Sequence, residues 1–237
     1  MLVRRPALVI FDCDGVLVDT ERLTVDVEAR VLTELGWPHT TEQVVHRWMG
    51  RAGSAQLDDI AARLGPQAAR HFDELTSREI HDRFRRELTA VPGVPEALDA
   101  LDEAGLRYCV ASSGSHAKIR LTLGLTGLLD RFGPDSTIVS ADDVIHGKPA
   151  PDLFLHAAAR TGTDPTDCVV VEDSVHGVTA AVAAGMAVLG FTGGLAPSGA
   201  LAAAGARELP AMAQLPALLG LEVDSASGQA AVRQPAK

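Results

Sequence analysis

The chain is short of cysteine, of basic charge and of long apolar runs, and each shortage excludes a class of protein. Its 237 residues include three cysteines, Cys13, Cys109 and Cys168, too few for a disulfide framework. Each lies in or beside an apolar run, so we predict buried, reduced thiols and a cytoplasmic protein. Lys and Arg total 21 against 31 for Asp and Glu, a net charge of −10. Such a chain has no general attraction to nucleic acid or to an anionic membrane.

No apolar run suits a signal peptide or a membrane span. The apolar start of the chain is interrupted by Asp12 and Asp14, which leaves it too short for a signal peptide. The stretch 174–206 has no Asp, Glu, Lys or Arg, but glycines and one proline divide it into short pieces. We interpret that stretch as a buried helix followed by a buried strand.

The apolar segments predict an α/β core of the Rossmann type. Short runs rich in β-branched residues alternate with helical patterns, which is typical of a parallel sheet covered by helices on both faces. The chemistry of such a sheet lies at the carboxyl ends of its strands. The predicted strands are 7–11, 106–111, 138–140, 168–171 and 187–191, and the predicted helices are 94–103, 116–123, 151–160 and 174–184.

A helical insertion divides this core. Residues 23–91 show no convincing strand and end in a stiff, turn-rich linker, Val91-Pro92-Gly93-Val94-Pro95. We predict helices over 22–35, 41–49, 55–64 and 68–88. The predicted domains are an α/β core of residues 1–21 and 92–223, a small helical domain of residues 22–91, and a flexible tail of residues 224–237.

The strongest chemical signal is the segment Phe11-Asp12-Cys13-Asp14-Gly15. Side chains two apart in extended backbone point the same way, so an apolar strand ends in two converging carboxylates. Such a pair is costly unless a cation or a shared proton relieves it. A calcium-binding loop is excluded, because its required glycine and glutamate are replaced by Leu17 and Leu23.

Three further segments carry polar groups at predicted strand or helix ends. Val171 is followed by Glu172 and Asp173, and four carboxylates at the ends of two parallel strands would suit Mg²⁺. The segment 111–115 follows a strand and opens a helix, where hydroxyls and free N–H groups can bind an anion. Lys148 precedes another helix start. Taken singly, these residues also fit a helix cap at 173–174, a serine N-cap and a solvated lysine.

Together the four segments resemble the haloacid dehalogenase (HAD) superfamily. The resemblance is greatest to its β-phosphoglucomutase-like phosphatases, whose helical cap is inserted after the first motif. It covers the core from about residue 8 to 191, and the insertion by position and helical character. The matching motifs, in chain order, are Asp12-Cys13-Asp14-Gly15-Val16, Ser112, Lys148-Pro149 and Glu172-Asp173.

The resemblance implies a Mg²⁺-dependent phosphatase that hydrolyses small phosphomonoesters such as sugar phosphates. Asp12 would be the nucleophile that forms an aspartyl-phosphate, and Asp14 would protonate the leaving oxygen and then activate water. Ser112, Ser113 and Lys148 would bind the phosphate. Mg²⁺ would be bound by Asp12, the main-chain carbonyl of Asp14 and Asp173, with Glu172 either binding or orienting it.

Residues that differ from the family pattern help to decide which branch of the family the chain resembles. Thr24 stands where β-phosphoglucomutases carry a histidine, which favours a phosphatase over the alternative, a sugar-phosphate mutase. Asp14 argues against a dehalogenase, and the absence of lysine from residues 23–90 argues against a phosphonatase. A receiver-like signalling protein is a distant alternative, which the position of Asp12 on the first strand opposes.

The substrate itself is not readable from the motifs. Arg51 and His116 are candidate substrate-contacting residues, although a solvated arginine at a helix start and a histidine on a helix surface are the favoured alternatives. The expected partner is a small phosphorylated metabolite, with no nucleic acid and no membrane. We expect a monomer, and the sequence leaves an oligomer open.

Overall fold

The computed structural model describes residues 5–48, 53–133 and 137–221. Their central feature is a parallel sheet of six strands in the order β3-β2-β1-β4-β5-β6. The strands are β1 (Leu8–Phe11), β2 (Arg107–Ser112), β3 (Ile138–Ser140), β4 (Cys168–Glu172), β5 (Ala187–Phe191) and β6 (Arg207–Leu209).

Helices occupy two parts of the described chain. Four lie between β1 and the rest of the core, and we call them the cap helices: α1 (Thr20–Glu34), α2 (Thr41–Trp48), α3 (Gly53–Leu64) and α4 (Pro66–Glu87). The core helices are α5 (Val94–Glu103), α6 (His116–Leu125), α7 (Asp152–Arg160), α8 (Val175–Ala183), α9 (Ala200–Ala203) and α10 (Leu215–Leu218).

The sheet is buried on both faces, as its apolar strands predict. Alternate residues of a strand point to opposite faces, and β1 shows this directly. Val9 and Phe11 belong to one apolar cluster, whereas Leu8 and Ile10 belong to another on the opposite face. β1 lies between β2 and β4, so the ends of these three strands are neighbours at one edge of the sheet.

The cap helices bury an apolar cluster of their own, which includes Leu32, Trp48, Ile60 and Phe72. The cap is therefore held together largely by contacts among its own helices. The predicted domain division after residues 21 and 91 stays a prediction, and the predicted tail of residues 224–237 lies outside the described residues.

The predicted strands and the longer helices are confirmed within about three residues at each end, and β6, α9 and α10 were not predicted. β6 has three residues, and Arg207 and Glu208 are exposed at the edge of the sheet, so it lacks the apolar run of a buried strand. The three cysteines are buried and unpaired, as predicted. No helix in the described ranges is long and apolar enough to cross a membrane.

Candidate active site

A cavity of about 460 Å³ lies between the strand ends and the cap helices. Its core wall includes residues that end or follow β1, β2, β3 and β4, together with Lys118 and Lys148, and its cap wall consists of residues from α1, α2 and α3. The topology accounts for this position, because the loops after adjacent parallel strands meet at one edge of the sheet. Six acidic side chains and two lysines are among the described residues that line it.

Asp12 lies at the base of the cavity beside Lys148. The Lys148 ammonium donates to Asp12 Oδ1 at 2.5 Å, to Glu172 Oε1 at 2.7 Å and to the Ala111 carbonyl at 3.2 Å. Burial raises the pKa of Asp12 to about 7, although the charge of Lys148 opposes that rise. Burial also disfavours the charged form of Lys148, but Asp12 and Glu172 outweigh it and raise the pKa of this lysine. A charged lysine thus joins the two acidic loops.

Asp14 is bound by a second lysine, Lys118 of α6. Its Oδ2 accepts from Lys118 Nζ at 2.8 Å, and its Oδ1 accepts from Thr20 Oγ1 at 2.6 Å. Burial disfavours ionisation, but Lys118 and the Thr20 hydroxyl outweigh it and lower the pKa of Asp14. Lys118 was not among the predicted site residues. One signal was available, since the chain has only three lysines and this one lies in the first turns of the helix after Ser112.

Glu172 is held entirely by protein groups on both of its oxygens. Oε1 accepts from Lys148, and Oε2 accepts from the main-chain N–H of Ser174 at 2.8 Å and from its hydroxyl at 3.0 Å. Gly177 makes this possible, because a Cβ atom at that position would lie 1.7 Å from Glu172 Oε1. Glu172 is therefore placed to orient Lys148.

Asp173 faces Glu21 of the first turn of α1. Asp173 Oδ2 and Glu21 Oε2 are buried and have no hydrogen-bond donor among the described residues. Burial, reinforced by the neighbouring carboxylate, raises the pKa of Asp173 well above its ordinary value. Burial likewise raises the pKa of Glu21 to about 8. Gly15 has a φ of +76°, and a Cβ there would lie 2.1 Å from Asp173 Oδ2.

These orphaned oxygens are compatible with a bound cation. No three His, Cys, Asp or Glu side chains within residues 5–48, 53–133 and 137–221 form a ready-made ligand set. A site with few side-chain ligands suits Mg²⁺, which usually keeps several waters. Four more acidic than basic side chains line the described part of the cavity, and a divalent ion would offset part of this excess.

The remaining predicted residues differ in how they are placed. Ser112 and Ser113 line the cavity, and Ser112 Oγ accepts from the Gly114 N–H at 3.1 Å. His116 instead contacts Asp143, with Nε2 3.0 Å from a carboxylate oxygen, and is not among the described lining residues. Its substrate-contacting role stays a prediction that this contact does not favour. Arg51 lies outside the described residues.

Comparison with known proteins places the chain in a family. The 6-phosphogluconate phosphatase of Escherichia coli K12 is 32% identical over 184 residues, which are 77% of this chain and 81% of that protein. Hexitol phosphatase B of the same strain is 32% identical over 180 residues, 75% of this chain and 79% of that protein.

A solved structure supports the same assignment. The haloacid dehalogenase-like protein ATU0790 of Agrobacterium tumefaciens, described as of unknown function, has 39% sequence identity and a TM-score of 0.80. The match covers 90% of this chain and 97% of that one. The family model for haloacid dehalogenase-like hydrolases matches residues 9–191. The chain therefore belongs to the haloacid dehalogenase-like hydrolases.

Proposed function

We propose that this protein is a Mg²⁺-dependent phosphatase that hydrolyses small phosphomonoesters through an aspartyl-phosphate. One observation carries the proposal. The carboxylate of Asp12 lines the cavity between the core and the cap, bound to a charged lysine, with a second carboxylate two residues away and the Ser112 loop beside it. The two curated relatives described above are both named phosphatases.

Asp12 is the proposed nucleophile. One of its carboxylate oxygens would attack phosphorus, forming an acyl phosphate as the bond to the leaving oxygen breaks. Lys148, which contacts Asp12, carries positive charge to where the phosphoryl oxygens would lie. Ser112 and Ser113 supply hydroxyl and N–H donors on the same wall of the cavity. These groups provide positioning and charge stabilisation, on which phosphoryl transfer depends.

Asp14 is the proposed acid and base. It would give a proton to the leaving oxygen and later take one from the water that attacks the acyl phosphate. In the structure its two oxygens are occupied by Lys118 and Thr20. To act as an acid it must exchange at least one of these contacts for the leaving oxygen. Thr20 is the first residue of α1, a cap helix, so this exchange would accompany movement of the cap.

Asp12, Asp173 and the main-chain carbonyl of Asp14 are the groups that would hold Mg²⁺. When bound, the ion would supply positive charge to a phosphoryl oxygen. Asp173 suits this role because its buried Oδ2 has no donor among the described residues. Glu172 has both oxygens occupied by Lys148 and Ser174, which favours orientation over direct binding.

Hydrolysis is favoured over phosphate transfer within one sugar. Thr24, where mutases carry histidine, hydrogen-bonds to the Thr20 carbonyl at 2.9 Å and lines the cavity. Thr24 cannot form a charged contact with Asp14, but Lys118 of the core does. The choice of a phosphatase over a mutase therefore rests on Thr24 and the absence of lysine from residues 23–90.

The three buried thiols fit a reducing compartment such as the cytoplasm.

Phosphate release from a panel of phosphomonoesters tests the proposal, with Mg²⁺ and with EDTA. We expect release that requires Mg²⁺. With β-glucose 1-phosphate, rapid formation of glucose 6-phosphate with negligible free phosphate would instead establish a mutase. Isothermal titration with Mg²⁺ gives an independent readout, in which Asp173→Asn should weaken binding at least about tenfold. Asp82→Asn, an exposed residue of α4, is the matched control and should leave binding unchanged.

A further inference from the structure

The cap wall of the cavity contains a hydrogen-bonded polar pair, of which Gln56 is buried and Glu28 is partly buried. Gln56 of α3 donates from Nε2 to Oε2 of Glu28 on α1 at 3.0 Å, and both side chains line the cavity. Gln56 is 8% exposed. The other described cap residues along this wall include Val25, Val44 and Trp48. Even partial burial of a charged carboxylate costs solvation, so the position of Glu28 on this wall points to a role in the site.

We propose that Glu28 and Gln56 recognise the hydroxyl groups of a neutral sugar or polyol leaving group and disfavour a leaving group that carries a carboxylate. This inference rests on the proposed phosphatase function and names its substrate class. A hydroxyl group both donates and accepts hydrogen bonds. Glu28 has acceptor capacity beyond the bond from Gln56, and the Gln56 amide offers a carbonyl oxygen and a second N–H.

The charges around the Glu28–Gln56 pair explain why a leaving group with a carboxylate would be disfavoured. None of the described residues of α1, α2 and α3 that line the cavity is basic. The charge of Lys118 acts on Glu28, but the ammonium of this lysine is bound to Asp14 at 2.8 Å. Burial raises the pKa of Glu28, but the Gln56 hydrogen bond and Lys118 both favour its ionised form. A second carboxylate in this space would meet like charge with no free cation among these residues to offset it.

Sequence similarity does not decide between a neutral leaving group and one that carries a carboxylate. The two curated relatives are equally similar to this chain, at 32% identity, yet one is named for 6-phosphogluconate and the other for hexitol phosphates. These compounds differ at the end of the chain away from the phosphate, where one has a carboxylate and the other a hydroxymethyl group. The Glu28–Gln56 pair favours the hydroxymethyl compound.

The test compares sorbitol 6-phosphate with 6-phosphogluconate, which differ only at that terminal group. We expect kcat/KM of the wild-type protein to be at least about tenfold higher for sorbitol 6-phosphate. p-Nitrophenyl phosphate serves as a third substrate whose leaving group has no hydroxyls to recognise. Equal or better hydrolysis of 6-phosphogluconate would overturn the inference, as would hydrolysis of p-nitrophenyl phosphate alone. Failure to hydrolyse all three would overturn the proposed function as well.

Two variants separate charge from hydrogen bonding. Glu28→Gln removes the charge, so the ratio of kcat/KM for sorbitol 6-phosphate to that for 6-phosphogluconate should shrink at least about fivefold. Gln56→Leu keeps the charge, so it should raise KM for sorbitol 6-phosphate but retain the discrimination. Glu42→Gln, an exposed residue of α2, is the charge-matched control. An unchanged ratio in Glu28→Gln, or the same change in Glu42→Gln, would overturn the inference.

Discussion

The core wall of the cavity is built from adjoining loops whose charged side chains contact one another, whereas the cap wall is built from helices and carries fewer charges. On the core side, Lys148 links Asp12 to Glu172, and Lys118 binds Asp14. On the cap side, the Glu28–Gln56 pair lies among apolar residues. The difference fits the two proposals made above, in which the core groups perform the chemistry and the cap pair selects the leaving group.

The largest effect should come from Asp12→Asn. An amide is a poor nucleophile, so turnover should fall by at least about 10⁴-fold on every substrate. Initial-rate assays under saturating Mg²⁺ measure the loss. Asp19→Asn is the matched control, because Asp19 belongs to the same segment and contacts exposed Arg22. Near-normal turnover by folded Asp12→Asn protein would remove Asp12 as the nucleophile.

Asp14→Asn should have a large effect that depends on the leaving group. Loss of a general acid costs roughly 10²–10⁴-fold in rate. p-Nitrophenolate leaves with little need for a proton, so the first step with p-nitrophenyl phosphate should be far less affected than that with sorbitol 6-phosphate. Rapid-mixing kinetics on both substrates would show the difference. An equal proportional loss on the two would contradict the acid role.

Lys118→Met should have a smaller effect that also depends on the leaving group. A hydrogen bond to a charged group contributes ~1.5–3 kcal/mol, which corresponds to a loss of about 10- to 150-fold in kcat if Lys118 positions Asp14. We expect this loss for sorbitol 6-phosphate, a smaller one for p-nitrophenyl phosphate, and partial rescue by Lys118→Arg. Were Lys118 to serve packing alone, both substrates would lose activity equally and arginine would give no rescue.

A pair of glycine substitutions tests the packing behind the core wall. Gly177→Ala places a Cβ against Glu172 and should destabilise the fold by about 1–3 kcal/mol. Gly124→Ala, inside α6 with its nearest contact at 3.9 Å, should stabilise it by up to about 1 kcal/mol. Thermal or denaturant unfolding of the two variants measures both values. Similar stabilities for the two would show that Glu172 is not tightly held.

The core wall was largely predictable from sequence, and the cap wall was not. Asp12, Asp14, Glu172 and Asp173 follow apolar strands directly, and the parallel sheet brings neighbouring strand ends together. Lys118 was missed because its contact with Asp14 spans 104 residues, and its place at the start of the helix after Ser112 was the only sequence signal for it.

The contacts of the cap depend on how helices pack. Glu28 and Gln56 lie 28 residues apart on different helices, and each alone fits an exposed helix position. Glu21 likewise becomes a residue of the site only because it lies beside Asp173, which is distant in the sequence. Sequence periodicity predicts which face of a helix is apolar, but it does not predict which groups will surround a polar residue on that face.

Pre-steady-state release of p-nitrophenolate by Asp14→Asn tests the central claim most directly. If Asp12 forms an acyl phosphate and Asp14 activates water to break it down, this variant should release one equivalent of p-nitrophenolate per active site in a burst. Slow turnover should follow, with phosphate trapped on the protein after acid quench. Asp12→Asn should show no burst. A linear time course for Asp14→Asn, with no phosphate on the protein, would contradict the aspartyl-phosphate account.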